Sequence, residues 1–121
     1  MSDILGRLVL LALLLVPGVT HAALPADYRV HLLTENFPPF NMAADGRNFA
    51  RDDQVQGLSA ALVRELFARA RIGYSMTLRF PWDRVYRHTL ENPGSGLFST
   101  ARLPEREAQF KWVGPIAEYH S

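Results

Sequence analysis

The chain has 121 residues and a formal net charge of +1, and hydrophobic residues make up 48% of it and charged residues 21%. This length allows one domain at most, and the balance is that of a globular protein rather than a disordered chain. The small net charge and the scattered basic residues leave no electrostatic case for nucleic-acid binding, and the absence of cysteine excludes disulfides, thiolate metal sites and thiol nucleophiles.

Residues 1–22 have the pattern of a cleavable export signal. The apolar run at 8–16 is too short to span a bilayer, which requires about 20 apolar residues. A Pro-Gly pair interrupts this run, and small residues ending in Ala22 then occupy the positions that a signal peptidase reads. We expect cleavage after Ala22, or after Ala23 as a second choice, and export to a bacterial periplasm without stable membrane insertion. The alternative is a buried leucine-rich core helix; with cleavage, the mature domain is 23–121.

The first strand is predicted over residues 28–34, which alternate in polarity and are rich in β-formers. A Phe-Pro-Pro-Phe sequence follows, and its prolines end the strand and stiffen the connection. Because ligands of open α/β folds bind at the carboxyl ends of the strands, we expect Phe37 to face a ligand and Phe40 to pack in the core. The plainer alternative buries both rings. Residues 41–56 are polar and predict a small hairpin or a mobile loop.

The first helix is predicted over residues 59–71, led by Gly57 and ended by Gly73 as a C-terminal glycine cap. Its apolar side chains recur on one side, and charged side chains line the other. We therefore expect a single core-facing stripe formed by Leu62, Val63, Leu66, Phe67 and Ala70.

A second strand, residues 74–80, leads into a short helix that reaches about Leu90, with Val85 and Leu90 directed inward. Trp82 lies at the strand-to-helix junction, on the side of the sheet where ligands bind. The residues leave open whether Trp82 faces a ligand or is an ordinary buried tryptophan. A third strand is predicted at 97–100.

The segment 99–115 places an arginine beside a predicted helix start. Pro104 suits the first turn of a helix, and Glu105 and Glu107 complement its dipole. Arg106 lies in the same turn, close to backbone N–H groups that have no partner inside a helix, where a cation is unfavourable. An anion held jointly by the guanidinium and the helix N-terminus would explain this placement. The alternative is a surface arginine paired with Glu105 or Glu107.

The element order β-α-β-α-β-α predicts an α/β fold with a mostly parallel sheet flanked by helices. The histidines outside the export signal, His31, His88 and His120, have no metal-ligand spacing, and no nucleophile-elbow, zinc-protease, P-loop or dinucleotide-binding motif occurs. Glu105 and Glu107 lie two residues apart and diverge on a helix, which is a poor geometry for acid–base catalysis. We therefore expect no metal, no cofactor and no self-contained enzymatic activity.

Five features stand in a fixed order along the chain: a signal peptide, a strand ending in F-P-P-F, a glycine-led helix, a strand ending in P-W-x-R, and R-x-P-E-R-E-x-x-F-K-W-V-G-P-I. This order resembles the bacterial extracellular solute-binding proteins of family 3, the periplasmic receptors of polar amino-acid ABC importers. The resemblance implies a type 2 periplasmic-binding-protein-like lobe, one of two that close on a small polar solute like a hinged clamp. It also implies a membrane permease of the importer as the partner.

The resemblance further implies which residues form the binding site. The aromatic residue after the first strand stacks on the ligand, and here that is Phe37. The residue of the P-W step lines the pocket, and here that is Trp82. The arginine of the E-R step, Arg106, pairs with the α-carboxylate of the ligand. Ser99 and Ala101 at the end of the third strand offer backbone groups to it.

Two residues depart from the family pattern and leave the identity of the ligand open. Leu103 stands where the family commonly has a threonine that caps the helix and touches the ligand, and Ala61 stands where it often has an aspartate. The chain also stops where the crossing to a second lobe would begin. We therefore expect an incomplete first lobe with an unprotected sheet edge, marginal stability and weak or no ligand binding.

Other interpretations stay open. One alternative is that the chain is a fragment of a catalytic relative of the same fold, of the cyclohexadienyl-dehydratase type. Glu35, Asp83 or a residue of the missing lobe would then have to supply the catalytic acid. The chain is otherwise an inactive remnant or a piece of a sensor domain.

Overall fold

A four-stranded mixed sheet with a helix on each face organises the protein, in a computed structural model that describes residues 24–118. The strands are β1 (Arg29–Thr34), β2 (Met42–Ala43), β3 (Ala50–Arg51), β4 (Val55–Gln56), β5 (Gly73–Leu78) and β6 (Ser95–Leu97), and the helices are α1 (Leu58–Ala70) and α2 (Trp82–Glu91). The sheet order is β3-β5-β1-β6, and β2 pairs with β4 separately.

Strand β1 lies at the centre of the sheet and pairs in parallel with β5 on one side and β6 on the other. This confirms the mostly parallel α/β arrangement. The short strand β3 was not predicted, and it pairs antiparallel to β5 at one edge. The polar region 41–56 contains the antiparallel pair β2–β4, but β3 lies between these two strands in the chain and pairs elsewhere, so the region is neither the simple hairpin nor the loop that was expected.

The core lies between the sheet and α1. Met76 and Leu78 of β5 are completely buried, and Leu32 of β1 and Val63 of α1 are 5% exposed. Since successive side chains of a strand point to opposite faces, alternate residues of β1 and β5 enter this core. Each such side chain contributes about 1.5–3 kcal/mol through removal of apolar surface from water.

The predicted apolar stripe of α1 is only partly correct. Val63 is buried and Phe67 packs against the core, but Leu62 and Leu66 are 41% and 46% exposed, and Ala70 is also exposed. The buried face also includes Ser59 and Ala60, so it is centred on Ala60, Val63 and Phe67. One residue corresponds to about 100° around a helix, and Leu62 and Leu66 therefore each fall one step to the side of a core-facing residue.

Two further expectations about the helices are wrong. Arg71, and not Gly73, takes the left-handed conformation at the end of α1, with φ of 57°, and Gly73 begins β5. In α2, Val85 is buried as predicted, but Leu90 is 44% exposed. Thr89 is buried in its place, because its hydroxyl donates to the carbonyl of Val85 at 2.9 Å and removes the desolvation penalty.

The segment after β6 differs most from the prediction. The third strand ends at Leu97 rather than at residue 100, and the expected helix beginning at Pro104 is a single 3₁₀ turn, Pro104–Arg106. Leu103 precedes that turn with no side-chain cap, since leucine has no hydrogen-bonding group.

The export signal at 1–22 and its cleavage site lie outside the residues that the structure describes. Within 24–118, neither helix has the length and apolar character needed to cross a bilayer.

Candidate functional site

The carboxyl ends of β1, β5 and β6 lie at one edge of the sheet because these strands are parallel. Phe37 follows β1, Trp82 follows β5 and Ser99 follows β6, so the topology places all three at this edge. The ends of β1 and β6 are joined by a hydrogen bond from the Thr34 hydroxyl to the carbonyl of Phe98, at 3.0 Å. Thr34 is completely buried, so this hydrogen bond is shielded from water and connects the ends of the two strands.

The Phe-Pro-Pro-Phe loop is held by the start of α1. The N–H of Leu58 donates to the carbonyl of Pro39 at 3.1 Å, and the N–H of Ser59 donates to that of Phe40 at 2.9 Å. Two of the four unpaired donors at the helix start are thereby satisfied. The rings of Phe37 and Phe40 are stacked, with centroids 5.5 Å apart and planes 16° apart. Phe40 is half-buried and Phe37 is 42% exposed beside it.

Arg106 lies against two aromatic rings of α2. Its guanidinium carbon is 5.2 Å from the ring centre of Tyr86 and 5.8 Å from that of Trp82, within the range of cation–π attraction. Its Nη1 donates to the carbonyl of Ala101 at 3.3 Å. The structure therefore brings three of the predicted site residues together: Trp82, Ala101 and Arg106.

Glu107 pairs with Arg102 and not with Arg106. Arg102 donates to both carboxylate oxygens of Glu107, at 2.8 Å from Nε and 2.5 Å from Nη2. This hydrogen bonding lowers the pKa of Glu107 and raises the pKa of Arg102 from their ordinary values. Neither ion pair recorded within residues 24–118 includes Arg106. The alternative that Arg106 is a surface arginine paired with Glu105 or Glu107 is wrong for this structure.

The expected contribution of a helix N-terminus to anion binding is also absent from this segment. The turn at Pro104 has only three residues, and the N–H of Arg106 donates to the carbonyl of Leu103 at 2.9 Å. A single turn has no aligned set of peptide dipoles. Any attraction of Arg106 for an anion therefore comes from its side chain.

Ser99 lies at the end of β6 in an unusual backbone conformation, with φ of 54°. Its hydroxyl oxygen and that of Thr100 are shielded from solvent and have no hydrogen-bond partner within the described residues. An unsatisfied buried hydroxyl costs about 1–3 kcal/mol. Ser99 and Phe37 thus lie at the same edge of the sheet as Arg106 because of the strands that they follow. Neither of them is among the residues that position its guanidinium, which are Trp82, Tyr86 and Ala101.

An aromatic ladder, formed by Trp82, Tyr86, Phe110 and Trp112, was missed in the sequence. Successive ring centres along it are 6.1, 5.5 and 5.7 Å apart, and the last two contacts are edge-to-face. The spacing of Trp82 and Tyr86 by four residues in a helix is a signal that could have revealed the first contact. Phe110 and Trp112 lie in irregular backbone, for which no periodicity predicts a direction.

The aromatic ladder docks the segment after β6 onto α2. Arg106 contacts its Trp82 and Tyr86 end, and the guanidinium carbon of Arg102 is 5.6 Å from the ring centre of Trp112 at the other end. Of the two arginines, only Arg102 is neutralised by a carboxylate within residues 24–118. The ladder therefore positions Arg106 at the carboxyl edge, as a cation with no carboxylate partner in the described part of the chain.

Comparison of the chain with protein-family models, with curated proteins and with solved structures finds no match. Within 24–118, no three histidine, aspartate or glutamate side chains are grouped so that they could hold a metal ion.

Proposed function

We propose that this chain is the first lobe of a periplasmic solute-binding receptor of an ABC importer. Its ligand is a small polar solute that carries a carboxylate, such as an amino acid, and a membrane permease is the partner of the complete receptor. The chain binds this solute and does not transform it. The support comes from the order of sequence motifs and from the position of one arginine in the α/β fold.

The observation that carries the proposal is the state of Arg106. Its guanidinium is positioned by Trp82 and Tyr86 and by the carbonyl of Ala101, yet it has no carboxylate partner within the described residues. A guanidinium has five N–H donors in a planar fork that matches the two oxygens of a carboxylate. Positioning by rings reduces the side-chain freedom that a ligand would otherwise have to remove on binding.

The surroundings of Arg106 fit a small zwitterionic solute better than a large apolar one. Phe37 is 42% exposed at the same edge, and Ser99 and Ala101 offer backbone groups after the end of β6. The site is open, and a carboxylate bound there stays partly hydrated. We therefore expect a millimolar affinity for this chain, since charge pairs exposed to solvent contribute about 1 kcal/mol or less.

Nuclear magnetic resonance titration of the chain with a panel of amino acids tests the proposal. We expect saturable shifts of the Trp82 indole and the Arg106 side-chain resonances with at least one amino acid. Arg106→Ala should weaken its binding about fivefold, which corresponds to the roughly 1 kcal/mol of a solvent-exposed charge pair. Arg102→Ala is the matched control, because it removes the same charge from the neighbouring turn and should leave binding within about twofold.

The carboxylate itself is tested with the α-amide of the same amino acid. The amide should bind the wild-type chain as weakly as the acid binds the Arg106→Ala variant. Equal affinity of wild type and Arg106→Ala for the acid, or equal loss in both arginine variants, would refute the assignment of Arg106.

A further inference from the structure

The sheet face opposite the α1 core is only partly covered. On this face α2 packs mainly against β6 and β1, which leaves β5 and β3 more open. Met76 and Leu78 enter the α1 core, and the alternation of a strand therefore directs Ser75 and Thr77 to the open face. Arg51 follows the buried Ala50 and lies on the open face for the same reason.

A groove of about 210 Å³ lies on this open face. Its polar lining, which we call the basic groove, consists of His31, Arg51, Ser75, Thr77, Arg79, Arg84 and His88. This volume is large enough for one compact polyatomic ion.

The basic groove contains three arginines and no acidic residue among the described residues that line it. Neither ion pair recorded within 24–118 uses any of these arginines. Asp52, next to Arg51, uses its carboxylate to accept from the backbone N–H of Met76 at 3.1 Å. The protein as a whole has a formal net charge of only +1, so this is a local concentration of positive charge.

Like charges around one small cavity repel each other, and they attract an anion that brings more than one negative charge. Acidic residues do lie near one end of the basic groove, since Asp83 and Glu91 line an adjacent cavity with Arg84. They compensate Arg84 in part. Arg51 lies on the opposite side, where its guanidinium carbon is 5.4 Å from the ring centre of Phe49 and is steadied by it.

The strand residues add neutral donors to these cations. Nδ1 of His31 lies 2.7 Å from the hydroxyl oxygen of Ser75, and the two groups share one hydrogen bond. When the ring donates, the Ser75 proton is free to bond to an anion. Thr77 provides a second hydroxyl two residues along the same face. Guanidinium forks together with hydroxyl donors form the donor set that recognises the oxygens of a phosphoryl group.

We propose that the basic groove binds the phosphoryl dianion of inorganic phosphate or of a small phosphate ester. A carboxylate brings one negative charge to three arginines, whereas a phosphoryl group brings nearly two and three acceptor oxygens. The groove has room for one such group. Arg79 follows β5 and so reaches the carboxyl edge, but the groove is separate from the Arg106 site because neither Trp82 nor Arg106 lines it. It therefore does not depend on the proposed solute-binding function.

The test is titration of the chain with sodium phosphate at neutral pH, with ionic strength held constant by sodium chloride. We expect saturable amide shifts at Ser75 and Thr77 in the millimolar range. The double variant Arg51→Gln/Arg84→Gln should weaken phosphate binding about tenfold or more. The control Arg47→Gln/Arg71→Gln lowers the net charge equally outside the groove, and we expect it to bind within about twofold of wild type.

Circular dichroism spectra of both double variants establish that each is folded before binding is compared. An equal loss in the two variants would show a general charge effect and overturn the proposal. Absence of saturable shifts at Ser75 and Thr77 in the wild-type chain would also overturn it. In Arg106→Ala, phosphate binding should be unchanged, which separates failure of this proposal from failure of the solute-binding proposal.

The source of the phosphoryl group is distinguished with two further probes. Glycerol 3-phosphate presents a soluble ester, and vesicles containing phosphatidic acid present the same group on a lipid, with phosphatidylcholine vesicles as the blank. Binding of the soluble ester that is lost in the groove variant supports a small-molecule ligand. Binding of phosphatidic acid vesicles alone, lost in the same variant, supports a lipid headgroup. Binding of neither probe, with phosphate binding still lost in the groove variant, supports inorganic phosphate itself as the ligand.

Discussion

Replacement of Gly57 by alanine adds only one methyl group, but we expect it to lower the free energy of unfolding strongly. Gly57 precedes α1 with φ of 118° and ψ of 172°, a region of backbone space that is essentially restricted to glycine. A Cβ atom at this position would lie 2.3 Å from the carbonyl oxygen of Phe40 and 2.6 Å from its carbonyl carbon. These neighbours are backbone atoms, so no side chain can move aside to relieve the contact.

The expected loss has two parts. A non-glycine residue in this backbone region costs about 1–3 kcal/mol. Relief of the Cβ contact also requires the Phe40 carbonyl to move, which breaks its 2.9 Å hydrogen bond from the N–H of Ser59 and costs about 0.5–1.5 kcal/mol more. We therefore expect Gly57→Ala to lower the free energy of unfolding by about 2–4 kcal/mol. For a domain of this size, that corresponds to a fall in Tm of at least about 8 °C.

Gly46→Ala is the matched control for this experiment. Gly46 also has a positive φ, of 77°, but no atom lies within 4 Å of its Cβ position. It should lose only about 1 kcal/mol, from the backbone conformation alone. Urea unfolding followed by circular dichroism gives both free energies. A Gly57→Ala variant that unfolds within about 0.5 kcal/mol of the Gly46→Ala variant would refute the steric argument, and with it the role of this glycine in holding the Phe-Pro-Pro-Phe loop.

Two other predictions concern the core and the ion pair beside the candidate site. Met76→Ala should cost about 2–5 kcal/mol in urea unfolding because Met76 is completely buried, whereas Leu66→Ala, on the exposed side of α1, should cost less than about 1 kcal/mol; similar losses would show that Leu66 belongs to the core. Arg102→Gln should raise the pKa of Glu107 toward its ordinary value, as measured by carbon-detected NMR titration, because the Arg102 hydrogen bond lowers it in the wild-type chain. A folded-state pKa below the unfolded value means that this pair stabilises the fold fully above about pH 4.3 and loses its contribution as the pH falls through the lower value. An unchanged Glu107 pKa in Arg102→Gln would contradict the pairing.

The elements with strong periodicity were predicted well. The strands at residues 29–34 and 73–78 and the helices at 58–70 and 82–91 lie within two residues of their expected bounds. Their signals are local, because alternation, turn residues and helix formers act within a few residues along the chain. Strand β3 has only two residues, and its pairing with β5 depends on a partner that lies more than twenty positions away in sequence.

Which side of α1 is buried was not determined by its own sequence. Leu58, Leu62 and Leu66 form as good an apolar row as Ala60, Val63 and Phe67, yet the first row is exposed and the second faces the sheet. The rotation of the helix is set by the backbone at Gly57 and by the bonds from α1 to the Phe-Pro-Pro-Phe loop. Periodicity identifies the candidate faces of a helix, but it does not choose between two apolar ones.

The sequence by itself determined the α/β class, the parallel pairing of its main strands and the presence of Phe37 and Trp82 at one sheet edge. These follow from element order, since parallel strands must end on the same side. Only the tertiary structure decided the partner of each arginine. Glu105 and Glu107 flank Arg106 in the sequence, whereas Arg102 has no acidic neighbour. The irregular backbone after Leu97 nevertheless pairs Glu107 with Arg102 and places Arg106 against the rings of Trp82 and Tyr86. Such choices depend on contacts between segments that no local pattern encodes.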